Sequence, residues 1–184
     1  MIFHETPLAG AYVIEPELIE DERGYNARMW CRDEFERMGL VTDWVQANIL
    51  YNRHRGTLRG MHWQEPPAGE DKLFRVIRGA VHDVIIDLRD GSPTYGEWAS
   101  FRLSAAVPQL LYVPACFAQG FQTLEDDTEL IYQASAPHTP ELGRGLRWDD
   151  PAFELEWPLA VEVISEKDRT WPDFMRTEPI GGQA

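Results

Sequence analysis

Short segments of alternating apolar and polar residues recur along the chain, separated by turns rich in Gly, Pro and Asp. A period of two is typical of β-strands with one buried face, and closely spaced segments of this kind favour a sandwich or barrel. We therefore predict an all-β fold, with a jelly roll as the natural arrangement. The expected strands are residues 11–14, 24–30, 44–51, 57–62, 72–77, 81–88, 98–103, 109–113, 120–124 and 130–134.

Helical pattern is confined to residues 33–38, where Phe35 and Met38 share a face and Gly39 ends the segment. The chain after Pro158 is expected to be a C-terminal extension, with a short helix or coil around residues 165–169. Neither a repeat nor a linker divides the 184 residues. We therefore predict a single domain over residues 1–184, in which about residues 159–184 form the extension.

Composition and charge narrow the classes of function. Hydrophobic residues make up 43% of the chain, so a sizeable core is expected. The formal net charge is −14, which argues against binding to nucleic acid or an anionic membrane, because either needs a positive field. No apolar run approaches the roughly 20 residues of a membrane helix, and no secretory signal is visible. With only Cys31 and Cys116, the sequence favours a cytoplasmic protein with reduced thiols.

The densest group of residues that could carry chemistry is residues 59–64, RGMHWQ, at the end of a predicted strand. A metal site in a small β-barrel is expected to have two closely spaced His with further ligands. Here Gln64 stands two positions after His62, and the next His is His82. No metal site is therefore predicted, and a buried core histidine is an equal interpretation of His62.

Other candidate residues also allow a purely structural interpretation. Tyr132 lies on the apolar face of a predicted strand, as a core aromatic would. Asp168 lies in a run of charged residues that could simply be solvated, and Lys72 could be a charge that protects a strand edge. Arg23 and Arg59 could pair with the many carboxylates. Taken one at a time, these positions do not establish a function.

Together, however, these residues and their surrounding motifs resemble the nucleotide-sugar 3,5-epimerases that act on dTDP-4-keto-6-deoxyglucose in the rhamnose pathway. The resemblance extends from Pro7 to Asp168, with the motifs in the family's order. The motifs are residues 21–24 (DERG), 45–48 (VQAN), 57–64 (TLRGMHWQ), 72–79 (KLFRVIRG), 87–96 (DLRDGSPTYG), 144–151 (RGLRWDDP) and 165–168 (SEKD).

The resemblance implies a cupin-like jelly roll that uses no metal and no organic cofactor, takes a dTDP-sugar as substrate and acts as a homodimer with exchanged N-terminal strands. Four residues would have catalytic roles: His62 as the general base, Asp168 as the group that orients it, Tyr132 as the general acid on the opposite face of the sugar, and Lys72 at the C4 oxyanion. The expected substrate-binding residues are Arg23 and Arg59 at the pyrophosphate, with Gln46, Asn48, Gln119 and His138 elsewhere along the nucleotide sugar.

These residue types suit the reaction. The protons at C3 and C5 of the sugar are acidic because both carbons flank the C4 ketone, and their removal places negative charge on the ketone oxygen, which a cation stabilises. An imidazole can take the proton, and a carboxylate on its other nitrogen fixes the tautomer. Inversion also needs a proton from the opposite face, which a phenol can deliver. Arginine matches pyrophosphate through paired N–H donors.

Several positions depart from the family's usual pattern. They are Asn26 and Ala27 in place of aromatics, Arg28 in place of Glu, Ile49-Leu50 in place of His-Ser, Cys116 in place of Gly, Gln119 in place of His, and Pro137-His138 in place of an aromatic pair. All four residues with expected catalytic roles are present. The departures therefore bear on the identity of the substrate more than on the type of reaction.

Four alternatives remain open. Within the class, the protein could invert only C3 or only C5, or use a different nucleotide sugar. From other classes, it could be a non-catalytic jelly-roll module that binds sugar, or a metal-dependent cupin oxygenase. The module would need neither an oriented His nor an opposed Tyr, and the oxygenase would need a second His ligand. Epimerisation is therefore the favoured interpretation.

Overall fold

Antiparallel β-strands dominate the computed structural model, which describes residues 1–175. The strands are β1 (Ile2–Glu5), β2 (Tyr12–Glu15), β3 (Leu18–Asp21), β4 (Gly24–Ala27), β5 (Gln46–Asn52), β6 (Leu58–Gln64), β7 (Lys72–Arg78), β8 (Ala80–Asp87), β9 (Trp98–Ser104), β10 (Leu110–Val113), β11 (Phe117–Thr123), β12 (Thr128–Ala134) and β13 (Gly143–Gly145), and the helices are α1 (Arg32–Arg37) and α2 (Glu166–Arg169).

Two sheets form the body of the molecule. The six-stranded sheet has the order β1-β2-β10-β7-β12-β5, and the five-stranded sheet has the order β13-β6-β11-β8-β9. Strands β3 and β4 form a separate hairpin. Neighbours in sequence often lie in different sheets, as in β5 and β6 or β6 and β7, so the chain crosses repeatedly between layers. This arrangement confirms the predicted all-β jelly roll.

The core between the two sheets follows from the alternation of side chains along each strand. Phe74 and Val76 on β7 pack against Val81 and Ile85 on β8 within one buried cluster. Asp83, between those two β8 residues and on the same face, is fully buried with them. A carboxyl group is therefore enclosed among these apolar side chains.

Helix α1 covers the outer face of the six-stranded sheet. Its one buried residue is Phe35, which packs against Ile14, Leu110 and Tyr112. Complete burial of an aromatic side chain of this size stabilises the fold by about 1.5–3 kcal/mol. Asp33 and Glu34 in the first turn favour the helix N-terminus electrostatically.

Most predicted elements are confirmed within a few residues, including α1 and the short C-terminal helix α2. The predicted strand over residues 24–30 is wrong after Ala27, because the next residues turn toward α1, where Trp30 packs in the cluster around Phe35. Strands β1, β3 and β13, of three or four residues each, were not predicted. The part of the predicted extension over residues 176–184 lies outside the described residues, and the single domain stays a prediction.

Candidate active site

An open cavity of about 530 Å³ lies where the two sheets meet the segment of residues 163–168. Its size falls within the roughly 300–1,000 Å³ range of small-molecule sites. Residues from β6, β7, β11 and β12 line the cavity, so both sheets contribute to it. Six of the predicted site residues lie in this lining: Arg59, His62, Lys72, Gln119, Tyr132 and Asp168.

The His62–Asp168 pair joins β6 to α2. The Nε2 atom of His62 is 2.6 Å from Oδ1 of Asp168, and the Asp168 side chain is only 7% exposed. The other carboxylate oxygen accepts a hydrogen bond from the Gly60 backbone N–H at 3.3 Å. The Ser165 hydroxyl accepts one from the Asp168 backbone N–H and so caps α2. Both oxygens of Asp168 and its backbone are thus fixed around His62.

Asp168 carries its negative charge in spite of burial. Burial acts to raise the pKa of Asp168, but hydrogen bonds and charge interaction with His62, and hydrogen bonds with Gly60 and Ser165, together bring the pKa below its ordinary value. An ionised carboxylate can only accept hydrogen bonds, so the nitrogen of His62 that contacts Asp168 must be a donor. In the neutral ring, the hydrogen is therefore on Nε2. The Nδ1 atom is then the nitrogen with a free lone pair, which is the form that a general base requires.

A β-bulge in the five-stranded sheet sets the position of His62. On β11, Gln119 is paired with His62, but the register shifts before Phe121. Gly60 has φ +124°, and a Cβ on this residue would collide with Gly120 on the neighbouring strand. Two glycines are thus needed for the strands to approach this closely. His62 and Gln119, which pair with each other next to this bulge, both line the cavity.

Tyr132 and Lys72 approach the cavity from the other sheet. They lie on adjacent strands β12 and β7, and since Lys72 pairs with Ala134, they are diagonal neighbours on one face. Burial raises the pKa of Tyr132, and the negative charge of Glu70 raises it further. The hydroxyl is therefore held in its protonated form, across the cavity from His62.

A buried carboxyl lies behind the cavity wall. Gln119 donates from Nε2 to the two oxygens of Asp83, at 3.3 and 3.1 Å. Burial raises the pKa of Asp83 well above its ordinary value, opposed by the hydrogen bond from Gln119 and the charge of Lys72. The amide of Gln119 is thereby held at the cavity surface, where the resemblance to the family places a contact with substrate.

Three other predicted binding residues lie beside the cavity rather than in its lining. Gln46 donates from its amide to Oδ1 of Asn48 at 3.2 Å and accepts from the backbone N–H of His138 at 3.1 Å. Asn48 is paired with Tyr132 across the β5–β12 ladder, so this chain of polar groups borders the site. The Nδ2 atom of Asn48 is buried without a hydrogen-bond partner among the described residues, and a ligand could supply one.

Arg23 is not among the residues that line the cavity. It is on the turn of the β3–β4 hairpin, its side chain is 84% exposed, and it pairs with Asp21. Arg59, by contrast, lines the cavity and donates from Nε to Oδ1 of Asn52 at 2.7 Å. The structure therefore brings one of the two predicted pyrophosphate ligands to the cavity.

The structure adds cavity residues that the sequence reasoning missed. Lys167 lines the cavity beside Asp168, and its ammonium lies 5.3 Å from the ring centre of Trp171. Leu50 supplies an apolar wall from β5. The sequence did contain features that could have identified these two cavity residues. Lys167 lies in the SEKD motif, and Leu50 replaces the Ser that is usual in the family.

Within residues 1–175, no group of three or more His, Cys, Asp or Glu side chains is placed to hold a metal ion. In the same range, none of the helices is long and apolar enough to cross a membrane.

Comparison with known proteins identifies the family. Residues 5–176 match the family model described as dTDP-4-dehydrorhamnose 3,5-epimerase. The chain belongs to this family. A curated relative of that name from Methanothermobacter thermautotrophicus is 43% identical, and the match covers 97% of this chain and 96% of the relative. Another, from Sinorhizobium fredii, is 42% identical, and the match covers 95% of this chain and 90% of the relative. The Bacillus anthracis family member, whose structure has TDP and PPi bound, superposes with a TM-score of 0.90 at 35% identity, covering 94% of this chain and 99% of that one.

Proposed function

We propose that the protein epimerises a nucleotide-linked 4-keto-6-deoxyhexose, converting dTDP-4-dehydro-6-deoxyglucose to dTDP-4-dehydrorhamnose by inversion at C3 and C5. The observation that carries this proposal is the placement of an oriented His62 on one sheet and a protonated Tyr132 on the other, with one cavity between them. A base and an acid on opposite sides of a ligand are what inversion at carbon requires.

The proposed reaction begins at Nδ1 of His62. This atom removes the proton from C3 or C5, and the electron pair moves onto the C4 oxygen as an enolate. Asp168 stabilises the imidazolium that forms, and Lys72 stabilises the enolate oxygen by charge and hydrogen bonding. Tyr132 then protonates the same carbon from the opposite face. The imidazolium of His62 then releases its proton to solvent and the phenolate of Tyr132 takes one up, and a second round at the other carbon completes the double inversion.

The charge distribution supports a diphosphate-bearing substrate. The chain has a net charge of −14, yet Arg59, Lys72 and Lys167 all line this cavity. Such a local concentration of cations offsets the repulsion that an acidic protein exerts on a substrate dianion. The Legionella pneumophila relative, 32% identical to this chain, was solved in complex with dTDP-4-keto-L-rhamnose, which supports the same class of ligand here.

We further propose a homodimer, in which the β3–β4 hairpin reaches a second copy and brings Arg23 to its cavity. The hairpin supports this because all of β3 is exposed, including Ile19 at 71%, and Tyr25 on β4 is 50% exposed. Apolar side chains in that position are typical of an interface. Strand β2 pairs with β1 and β10 of its own chain, so the hairpin is the part of the N-terminal region that is free to cross over.

We also propose a cytoplasmic location. Cys31 and Cys116 are both unpaired, and reduced thiols are typical of that compartment.

The second candidate function is inversion at C3 alone. A curated relative from Streptomyces sp, 34% identical over 97% of this chain, is named dTDP-4-dehydro-6-deoxyglucose 3-epimerase. The higher identity to the relatives named as 3,5-epimerases, at 42% and 43%, favours double inversion.

One experiment separates these functions. The protein is incubated with dTDP-4-keto-6-deoxyglucose in D₂O, and C3 and C5 are followed by NMR. Deuterium at both carbons with the inverted product supports the proposal, and inversion with deuterium at C3 alone indicates the single-centre enzyme. Saturable binding without exchange at either carbon would identify a binding module instead.

A further inference from the structure

The loop between β6 and β7 places a carboxylate beside the proposed oxyanion residue. Glu70 Oε1 is 3.3 Å from Nζ of Lys72, and each of these side chains is only 12% exposed. A carboxylate that is largely removed from water needs a charged or hydrogen-bonding partner. Lys72 is that partner, so the ion pair fixes the direction in which the ammonium points.

The same carboxylate acts on the proposed acid. After burial, the charge of Glu70 is the second influence that raises the pKa of Tyr132. The other charged or titratable groups in the cavity lining are three cations (Arg59, Lys72 and Lys167) and the His62–Asp168 pair. Burial and the charge of Glu70 raise the pKa of Tyr132 in the same direction, so the phenol keeps its proton although cations line the same cavity.

We propose that Glu70 is a positioning residue for epimerisation, which anchors the Lys72 ammonium at the cavity wall beside Tyr132, the diagonal neighbour of Lys72 on β12. This inference rests on the proposed function and deepens it. The curated relatives and the family match identify the reaction, whereas this role follows from the ion pair and the electrostatics of this chain.

The proton transfer shows why both effects matter. Tyr132 gives its O–H proton to the enolate carbon, the enolate electron pair forms the new C–H bond, and a phenolate remains. Before the next round, the His62 imidazolium releases its proton to solvent and the phenolate regains one from solvent, so the two transfers balance. A nearby carboxylate favours that return, since it disfavours two negative charges side by side. Meanwhile Lys72 stays in place to receive the next enolate oxygen.

The first test does not depend on activity. The absorbance of tyrosinate is measured against pH in the unsubstituted protein and in Glu70→Gln. The same titration is repeated after adding Tyr132→Phe to each of these proteins, and the difference within each pair is the signal of Tyr132. Removal of the negative charge should move the Tyr132 titration to lower pH, whereas Glu70→Asp should keep most of the effect. Glu65→Gln is the matched control, because Glu65 lies in the same loop and pairs with the surface residue Arg144. An unchanged Tyr132 titration in Glu70→Gln would overturn the proposal.

The second test measures the reaction. In Glu70→Gln, kcat should fall several-fold, and its alkaline decline should begin at lower pH, with Kd for dTDP unchanged. In Glu70→Asp, kcat and the pH at which it declines should be closer to those of the unsubstituted protein than in Glu70→Gln. In Glu65→Gln, both should equal those of the unsubstituted protein. If kcat and its pH profile are the same in Glu70→Gln, the role is wrong. If the unsubstituted protein catalyses no exchange, the proposed function fails, while the absorbance titration still decides the electrostatic role of Glu70.

Discussion

His62 and Asp168 are separated by 106 residues in the chain, yet their ring nitrogen and carboxylate oxygen lie 2.6 Å apart. His62 belongs to a central part of the five-stranded sheet, whereas Asp168 comes from a four-residue helix near the end of the described chain. The contact between them determines which nitrogen of the imidazole is available as a base. The chemistry thus depends on how the C-terminal segment docks against the barrel.

Replacing Asp168 by Asn should abolish most of the activity while preserving the shape of the site. The amide would donate to Nε2 of His62 and so shift the ring hydrogen to Nδ1, which removes the basic lone pair. We expect kcat to fall by on the order of 10²–10⁴, with the dTDP Kd little changed. Nitrogen NMR of the imidazole would report the tautomer directly. Asp149→Asn, at an exposed carboxylate that pairs with Arg147, is the control, and normal turnover in Asp168→Asn would contradict the assignment.

His62 and Tyr132 should have separable roles. His62→Ala should lose both deuterium exchange and turnover, because no base remains. Tyr132→Phe keeps the ring and its packing but lacks the hydroxyl, so exchange through His62 should continue at one or both carbons while inverted product falls by about 10²–10⁴. NMR of the sugar in D₂O measures both quantities. Inversion of both centres at the normal rate in Tyr132→Phe would show that another group is the acid.

Complementation between two inactive variants tests the crossing of the hairpin. In a dimer of one Arg23→Ala chain and one His62→Ala chain, one cavity would combine an intact His62 with the intact Arg23 of the other chain. Mixing the two variants under conditions of subunit exchange should therefore restore activity. Mixing that restores nothing, although mass spectrometry detects mixed dimers, would mean that Arg23 does not serve the partner's cavity.

The exposed side of the hairpin gives a separate test of assembly. Ile19 is 71% exposed in one chain, so Ile19→Asp should leave the fold of the chain intact while weakening the dimer. Light scattering should show a shift from dimer to monomer, and circular dichroism should be unchanged. Glu20→Gln, at the neighbouring exposed position of β3, should stay dimeric. An Ile19→Asp protein that is as dimeric as the control would rule out this hairpin as the interface.

Asp83 should make the folded state less stable as pH rises. Its pKa is raised in the folded state by burial, so above the unfolded pKa the folded state holds a proton that the unfolded state has lost. The free energy of unfolding therefore falls from that pH up to the folded pKa. Asp83→Asn removes this group, and its stability relative to the unsubstituted protein should increase with pH. Urea denaturation across the pH range measures the difference, and a constant difference would contradict the expectation.

The cavity brings together His62, Tyr132, Lys72 and Asp168. Strand alternation alone allowed a structural interpretation of each of them, and it was the resemblance of their motifs to the family that singled them out, so their catalytic roles stay predictions. The role of Glu70 could not be anticipated, since a loop conformation decides which side chain meets Lys72.

Asp83 is an intermediate case. It lies on the same face of β8 as Val81 and Ile85 and is fully buried with them, but an alternating pattern does not reveal which partner a buried carboxyl finds. That partner, Gln119, comes from the neighbouring strand β11, next to the point where the register with β6 shifts.

The docking of α2 has a consequence during synthesis on the ribosome. The strands that bear His62, Lys72 and Tyr132 are translated before residue 168, so a growing chain holds His62 before it holds the carboxylate that contacts this ring. On the proposed mechanism, full activity therefore requires α2 to have been translated and to have docked against β6.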